Sequence, residues 1–297
     1  MGLLDGKAAV VTGSGRGIGK GHALQLAKAG AAVVVNDVDA DVAAEVVEEI
    51  KAFNGKAVAN TDSVAEKAGA DGIVASCVEA FGKIDVMMAN AGIVRDRTFL
   101  KMTEEEFDAV INVHVKGTFL CHQAAALQMK EQGSGGCLLS TVSAAHFGNF
   151  GQTNYAAAKG AIASMTYTLA MELARYGIRV NGISPSGTTR MSDTYIGPDG
   201  KKHPMPYIDP ELNGPVLVYL CSDEGNYISG QIFGTGGERI SILEHPAYGH
   251  TLLMPGGWTI ESVQKNFKQN LANKLQSLGI TKPPNPFSDG INPPESN

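Results

Sequence analysis

An α/β fold on a parallel sheet is what this sequence predicts, and three observations predict it. Short apolar, β-branched runs alternate with longer amphipathic ones from the start of the chain, the rhythm of successive βαβ units. The short runs are apolar throughout rather than alternating, as strands covered on both faces are. A glycine-rich turn stands between the first such run and the first helical one.

In order, the expected elements are a strand Ala8–Val11, a helix through Lys20–Lys28, a strand Ala32–Val35, a helix Val42–Phe53 and a strand Lys56–Ala59. There follow a helix across Glu66–Phe81, a strand Ile84–Ala89, a helix beginning near Thr103, a strand Cys137–Thr141, a helix carrying Tyr155 and a strand Ile178–Ile183. The stretch Pro185–Pro210 mixes Pro, Gly and Lys without periodicity and reads as a substrate loop. A helix near Glu211–Ser222 and a strand near Gln231–Phe233 close the main domain, placed at residues 1–237. Residues 238–297 form an irregular C-terminal extension with one expected helix, Ile260–Leu278, and a tail from Lys282 that holds five prolines.

With 43% hydrophobic and 18% charged residues, the chain of 297 can bury a large core. Its net charge of -6 and the absence of a long basic block argue against nucleic acid or anionic lipid as partner. Cys77, Cys121, Cys137 and Cys221 are dispersed and make no CxxC, and no histidines stand at metal-ligand spacing, so no metal is expected. Dispersed thiols, no signal-like opening and no run of membrane-spanning length lead to an expected cytoplasmic location.

The turn is Thr12-Gly13-Ser14-Gly15-Arg16-Gly17-Ile18-Gly19. Glycines there let backbone N–H groups approach a pyrophosphate at a helix N-terminus, whose dipole favours negative charge. Asp37 closes the second strand at the spacing where a carboxylate accepts from the ribose hydroxyls of NAD and repels the 2′-phosphate of NADP. NAD is the expected cofactor, although Arg16 in the turn is also suited to a 2′-phosphate. Asp62, after the third strand, suits the adenine amino group or a helix N-cap equally. Asn90-Ala91-Gly92 ends the fourth strand at the sheet edge where ligands bind, or is a plain strand-to-loop turn.

Tyr155 and Lys159 are four apart, so a helix sets a phenol and an ammonium on one face. A cation beside it is expected to lower the Tyr155 pKa and make the phenol a general acid or base. Upstream, Ser140-Thr141-Val142-Ser143 offers hydroxyls that cap locally or assist the tyrosine. His146, between Ser143 and Tyr155, suits a pocket wall or ordinary packing, and Lys201-Lys202-His203 suits CoA phosphates or a solvated turn.

Taken in order, TGxxxGxG at Thr12–Gly19, Asn90-Ala91-Gly92, Asn112, Ser143 and YxxxK at Tyr155–Lys159 make this chain resemble the short-chain dehydrogenase/reductase family over residues 5 to about 240. The resemblance implies one doubly wound, Rossmann-like domain with a seven-stranded parallel sheet and helices on both faces. It implies Asn112, Ser143, Tyr155 and Lys159 as catalytic residues. Tyr155 would exchange the substrate proton, Lys159 hold the nicotinamide ribose, Ser143 donate to the oxyanion and Asn112 hold a water that links Lys159 to solvent. It implies cofactor contacts at Gly13, Arg16, Gly17, Ile18, Gly19, Asp37, Asp62, Asn90, Ala91, Gly92, Tyr155, Lys159 and Thr189, with Thr188 competing for the carboxamide role. His146 and Arg190 are candidate substrate residues. The family usually places its serine thirteen residues before the tyrosine, where this chain has twelve, and Pro185-Ser186-Gly187 stands where many relatives have Pro-Gly.

Within the family the likeness is greatest to the (3R)-hydroxyacyl-CoA dehydrogenase unit of multifunctional enzyme type 2 and its bacterial relatives. It is carried by Val33–Asp37, Val113–Phe119, Gly148–Tyr155, Thr189–Met191 and Trp258–Val263. The implied reaction is hydride transfer between NAD(H) and a secondary alcohol or ketone, first of all a 3-hydroxyacyl-CoA. A free cyclic, aromatic or steroid alcohol is the alternative substrate, and a non-catalytic dinucleotide-binding regulator the alternative role. A homodimer or homotetramer is implied as well, with the Tyr155 helix pairing against its symmetry mate.

Overall fold

The computed structural model describes residues 2–189 and 207–276. Among the described residues eight strands form one sheet, in the order β3-β2-β1-β4-β5-β6-β7-β8. The strands are β1 (Ala8–Thr12), β2 (Ala32–Asn36), β3 (Ala57–Asn60), β4 (Val86–Ala89), β5 (Gly136–Thr141), β6 (Ile178–Pro185), β7 (Ile232–Gly236) and β8 (Arg239–Ile242). The first seven pair in parallel and β8 returns antiparallel, Phe233 opposite Ile242 and Gly236 opposite Arg239. The sheet therefore has one strand more than the seven the resemblance implies. The pattern of β8 was unreadable because Ile240 and Ile242 are exposed among the described residues, on an edge strand where burial does not demand an apolar run on both faces.

The helices are α1 (Gly17–Lys28), α2 (Ala40–Ala52), α3 (Lys67–Phe81), α4 (Glu104–Ile111), α5 (Gly117–Gln132), α6 (Thr153–Leu173), α7 (Gly214–Cys221) and α8 (Ile260–Asn270). The last of these stops at Asn270, short of the expected Leu278, which lies outside the described residues. Between α4 and α5 the helix does not break but widens into a π turn, Asn112–Lys116. Thr103 starts α4 with a capping box: its hydroxyl accepts from the Glu106 N–H and the Glu106 carboxylate accepts from the Thr103 N–H.

Successive residues of each strand feed opposite faces. In β1, Ala9 and Val11 join Leu24, Val46, Ile50 and Leu217 under α1, α2 and α7; Ala8 and Val10 join Ile73, Cys77, Leu120 and Met129 under α3 and α5. All are buried. Burying each large aliphatic side chain contributes about 1.5–3 kcal/mol, which is why the inner strands tolerate no alternation. The strand order reverses between β1 and β4, and at such a switch point the loops leave the carboxyl edge in opposite directions and open a crevice.

Candidate active site

β1 delivers the glycine turn to one side of that crevice. Gly13 (φ 60°) and Gly17 (φ 55°) adopt left-handed conformations that residues with a Cβ rarely enter. At Gly19 close approach is decisive, since a Cβ would lie 2.2 Å from the Gly13 carbonyl oxygen and 2.5 Å from Asn90 Nδ2. No side chain caps α1. Its N-cap, Arg16, extends away to meet Asp39 at 3.1 Å, so the helix N-terminus presents backbone N–H groups to a ligand. Ile18 is half-buried beside them, its Cδ1 facing Gly187.

Asp37 stands at the lip of the turn. Its Oδ2 accepts from the Gly15 N–H at 3.0 Å and its Oδ1 from the Asp39 N–H at 3.2 Å, which holds the carboxylate where the second strand ends. Asp62 is exposed and its Oδ2 accepts from Asn60 Nδ2 at 2.9 Å. The N-cap of α3 is Glu66, so Asp62 does not cap that helix.

Asn90-Ala91-Gly92 is more than a strand-to-loop turn. The Asn90 and Ala91 N–H groups donate to Thr12 Oγ1 at 3.0 and 3.1 Å, and Asn90 Nδ2 donates to the carbonyls of Thr12 and Gly13 at 3.0 Å each. Asn90 Oδ1 in turn accepts from Thr141 Oγ1 at 3.1 Å. One side chain thus ties the glycine turn to the end of β5, two residues before Ser143. On the far side, Thr189 lies against Gly17, its Cγ2 being 3.1 Å from where a Cβ would sit. Thr188 Oγ1 accepts from the Ile208 N–H at 2.9 Å. Ser186, the residue inserted in the Pro-Gly position, has its hydroxyl engaged by Arg239 of β8 at 3.0 Å.

The segment after β5 and the helix α6 carry the candidate reacting groups. Ser143 follows β5, accepts from the Ala145 N–H at 3.2 Å and hydrogen-bonds the Tyr155 phenol, so the twelve-residue gap does not separate them. Buried Lys159 donates to the Thr141 carbonyl at 2.5 Å and lies 5.5 Å from the centre of the Tyr155 ring. Asn154, fully buried, donates to the Arg95 and Glu106 carbonyls at 2.9 and 3.2 Å and so anchors the start of α6 to the opposite loop and helix.

The electrostatics differ from the expectation drawn from the pair alone. Burial pushes the Tyr155 phenol above its usual value, outweighing the Ser143 hydrogen bond, and the charge of Asp96 adds to the rise. Burial brings Lys159 down to about 7. The amine, not the phenol, titrates near neutrality, because the low-polarity site that brings the two together penalises both charged forms.

Asn112 is not brought to this cluster; it is exposed at the start of the π turn. The buried member of that turn is His114, whose ring meets Tyr155 edge to face with centroids 5.3 Å apart. Sequence reasoning missed it, yet Val110, His114 and Thr118 recur every four residues and are all buried, a stripe that marks His114 as inward-facing. His146 is half-buried beside Ser143; its Nδ1 donates to the Ser143 carbonyl at 2.5 Å and its ring rests on Phe147. Arg190 and Lys201-Lys202-His203 lie outside the described residues.

The same residues match a family model. The model for short chain dehydrogenase covers residues 7–197. A hydroxyacyl-CoA dehydrogenase of Mycobacterium tuberculosis is 38% identical over 258 residues, 82% of this chain and 81% of its own. The peroxisomal multifunctional enzyme type 2 of Mus musculus is 39% identical over 248 residues, 80% of this chain, and the match spans 33% of the mouse protein's length. Among solved structures, a short chain dehydrogenase from Mycobacterium avium superposes with TM-score 0.83 at 37% identity, over 93% of this chain and 98% of that one. A 7 alpha-hydroxysteroid dehydrogenase complexed with NADH and 7-oxo glycochenodeoxycholic acid gives TM-score 0.70 at 31% identity, over 80% of this chain and 96% of that one. The family model, the identity with these relatives and the superposition on these structures agree, and the chain belongs to the family: it is a short-chain dehydrogenase/reductase, an oxidoreductase of CH–OH groups that works with a nicotinamide dinucleotide.

Proposed function

We propose that the protein interconverts a 3-hydroxyacyl-CoA and the corresponding 3-oxoacyl-CoA with NAD(H). The observation that carries the chemistry is the convergence of Ser143, Tyr155 and Lys159 at the end of β5, which Asn90 ties to the glycine turn. When bound, the nicotinamide supplies or takes the hydride. Tyr155 gives its proton to the substrate oxygen in reduction and recovers it in oxidation; Ser143 hydrogen-bonds that oxygen and favours its anionic character. Lys159, titrating near neutrality, is suited to return the proton to the tyrosine and to bind the ribose. Gly13, Arg16, Gly17, Ile18 and Gly19 cradle the pyrophosphate, Thr189 faces the carboxamide, and Asp62 meets the adenine.

Preference for NAD rests on Asp37, a carboxylate at the ribose position, and on the Arg16–Asp39 ion pair, which already engages the guanidinium that a 2′-phosphate would use. The acyl-CoA substrate rests on the named activity of the bacterial relative that this chain matches over most of both lengths. The likeness to the bile-acid-bound hydroxysteroid dehydrogenase favours a steroid alcohol as the second reading. A homodimer or homotetramer is part of the proposal, joined through the outer face of α5 and α6, where Phe119, Leu127 and Met171 are exposed. Among the described residues no helix is long and apolar enough to cross a membrane.

The deciding experiment follows NADH formation with a 3-hydroxyacyl-CoA, with the same 3-hydroxy acid lacking CoA, and with a 7-hydroxysteroid. The thioester is expected to have the highest kcat/KM, by at least about tenfold, since a handle remote from the reacting carbon supplies binding energy that the free acid lacks. Turnover confined to free alcohols sinks the acyl-CoA reading.

A further inference from the structure

We propose that Cys137 and Cys221 are an oxidation site: a peroxide converts them to a reversible disulfide that staples the end of α7 to β5. Along the chain the two cysteines are far apart and belong to no motif. The fold brings them together. Cys137 is the second residue of β5 and Cys221 the last of α7, and both are buried in one cluster on one face of the sheet. Cys137 Sγ donates to the carbonyl of Leu220, the residue before Cys221, at 3.5 Å, and the two thiols hydrogen-bond each other. Sulfurs that meet across a strand and a helix end have Cβ atoms aimed at each other, the first condition for a bridge.

The pair is also asymmetric. Arg179 stands opposite Cys137 in the β5–β6 register, and its guanidinium donates to the carbonyls of Ile228 at 3.2 Å and Ser222 at 3.4 Å. Lys7, just before β1, pairs with Asp223 at 3.0 Å. The hydrogen bond from Cys221 and then these two cations hold the Cys137 thiol below its usual value against the effect of burial, while burial and the same hydrogen bond push Cys221 well above. One sulfur is therefore the nucleophile, and the other keeps its proton for the second step. Cys77 and Cys121 lie in the cluster on the opposite face, where burial pushes both thiols up to about 12.

In the first step the Cys137 thiolate attacks one oxygen of hydrogen peroxide. The O–O bond breaks, Cys137 becomes a sulfenic acid, and the departing hydroxide takes up a proton as water. The Cys221 sulfur then attacks the sulfenic sulfur, the S–S bond forms, and a second water leaves with the Cys221 proton. Two thiols lose two electrons, and one peroxide is reduced to two waters. The small oxidant enters at the C-terminal turn of α7, an eight-residue helix whose end frays more readily than the strands beneath it. At about 3.3 Å per residue along the strand, Cys137 lies roughly 20 Å from Ser143. The inference is thus independent of the substrate and of hydride transfer.

The test exposes the reduced full chain to hydrogen peroxide under native conditions, then unfolds it with an alkylating agent present and reads intact mass and linked peptides. A Cys137–Cys221 link is expected, with Cys77 and Cys121 still alkylated and all four thiols recovered after dithiothreitol. The melting midpoint of the oxidised protein is expected to rise by about 5–10 °C, because the bridge closes a long loop in the unfolded chain. Cys221→Ser should stop at a sulfenic acid on Cys137 that a 1,3-dione traps, and Cys137→Ser should trap at least about tenfold less, since its remaining sulfur stays protonated. Four alkylated thiols after peroxide, a link between any other two cysteines, a midpoint that does not rise, or equal trapping in the two variants overturns the inference. The mass measurement on the native protein decides the matter even where a serine variant does not fold.

Discussion

At the residue scale, the proposed chemistry rests on one phenol and one amine whose protonation is set by burial. The Tyr155 phenol lies above its ordinary range and Lys159 falls to about 7, so near neutral pH the pair holds the proton on the phenol and shares the other with solvent. Tyr155→Phe removes the transferable proton and changes little else, because among the described residues the phenol's partner is the Ser143 hydroxyl. We expect kcat to fall by about 10²–10⁴ while the dissociation constant for NADH, read by its fluorescence, stays within about twofold. Retention of full turnover would remove Tyr155 from the mechanism. The pair itself was legible in the sequence, because four-residue spacing on a helix is a local property. The direction of the tyrosine shift was not, since desolvation depends on what the rest of the chain packs around the hydroxyl.

At the element scale, α6 does two jobs with two faces. Asn154, Ala158, Lys159, Ile162, Ala163 and Thr166 are buried, while Ala157, Ser164, Thr168 and Met171 are exposed. The outer stripe of small residues lets another helix approach closely, which the inner alanines, already committed to the sheet, do not. Ala157→Arg is therefore expected to shift the protein toward monomer, measured by light scattering on a sizing column, while thermal stability of the separated subunit is kept. An unchanged mass would remove α6 from the proposed interface. The same scale explains Asn112 and His114. A tract of family likeness points to a helix, but which of its residues turns inward depends on helical phase, and the buried stripe Val110, His114 and Thr118 sets that phase.

For the whole molecule, the core of the described residues buries three imidazoles, and burial favours their neutral form. Burial lowers His22 and His114 to about 3 and His122 to about 4 from an ordinary 6.5. Their contribution is complete above pH 6.5, where neither state holds the extra protons. Between 6.5 and 4 the unfolded chain binds protons that the folded chain refuses, so unfolding takes up to three protons and stability falls as pH falls. The loss approaches about 4 kcal/mol per pH unit near the middle of that window. Urea midpoints measured at half-unit steps from pH 7 to 4.5 should drop steadily; a flat series would mean that these rings accept protons in the fold.

The sequence by itself determined the parallel sheet, the position of the glycine turn, the acid at Asp37 and the YxxxK pair, because each is written in residues close together along the chain: periodicity, a turn, a helical spacing. The tertiary structure alone decided the rest. It joined Asn90 to Thr12, Gly13 and Thr141, placed Arg239 on Ser186, added β8 at the edge, left Asn112 in solvent and set His114 against Tyr155. These outcomes depend on contacts between distant segments and on the exclusion of water from the crevice, and no local pattern encodes how much water a folded chain will exclude.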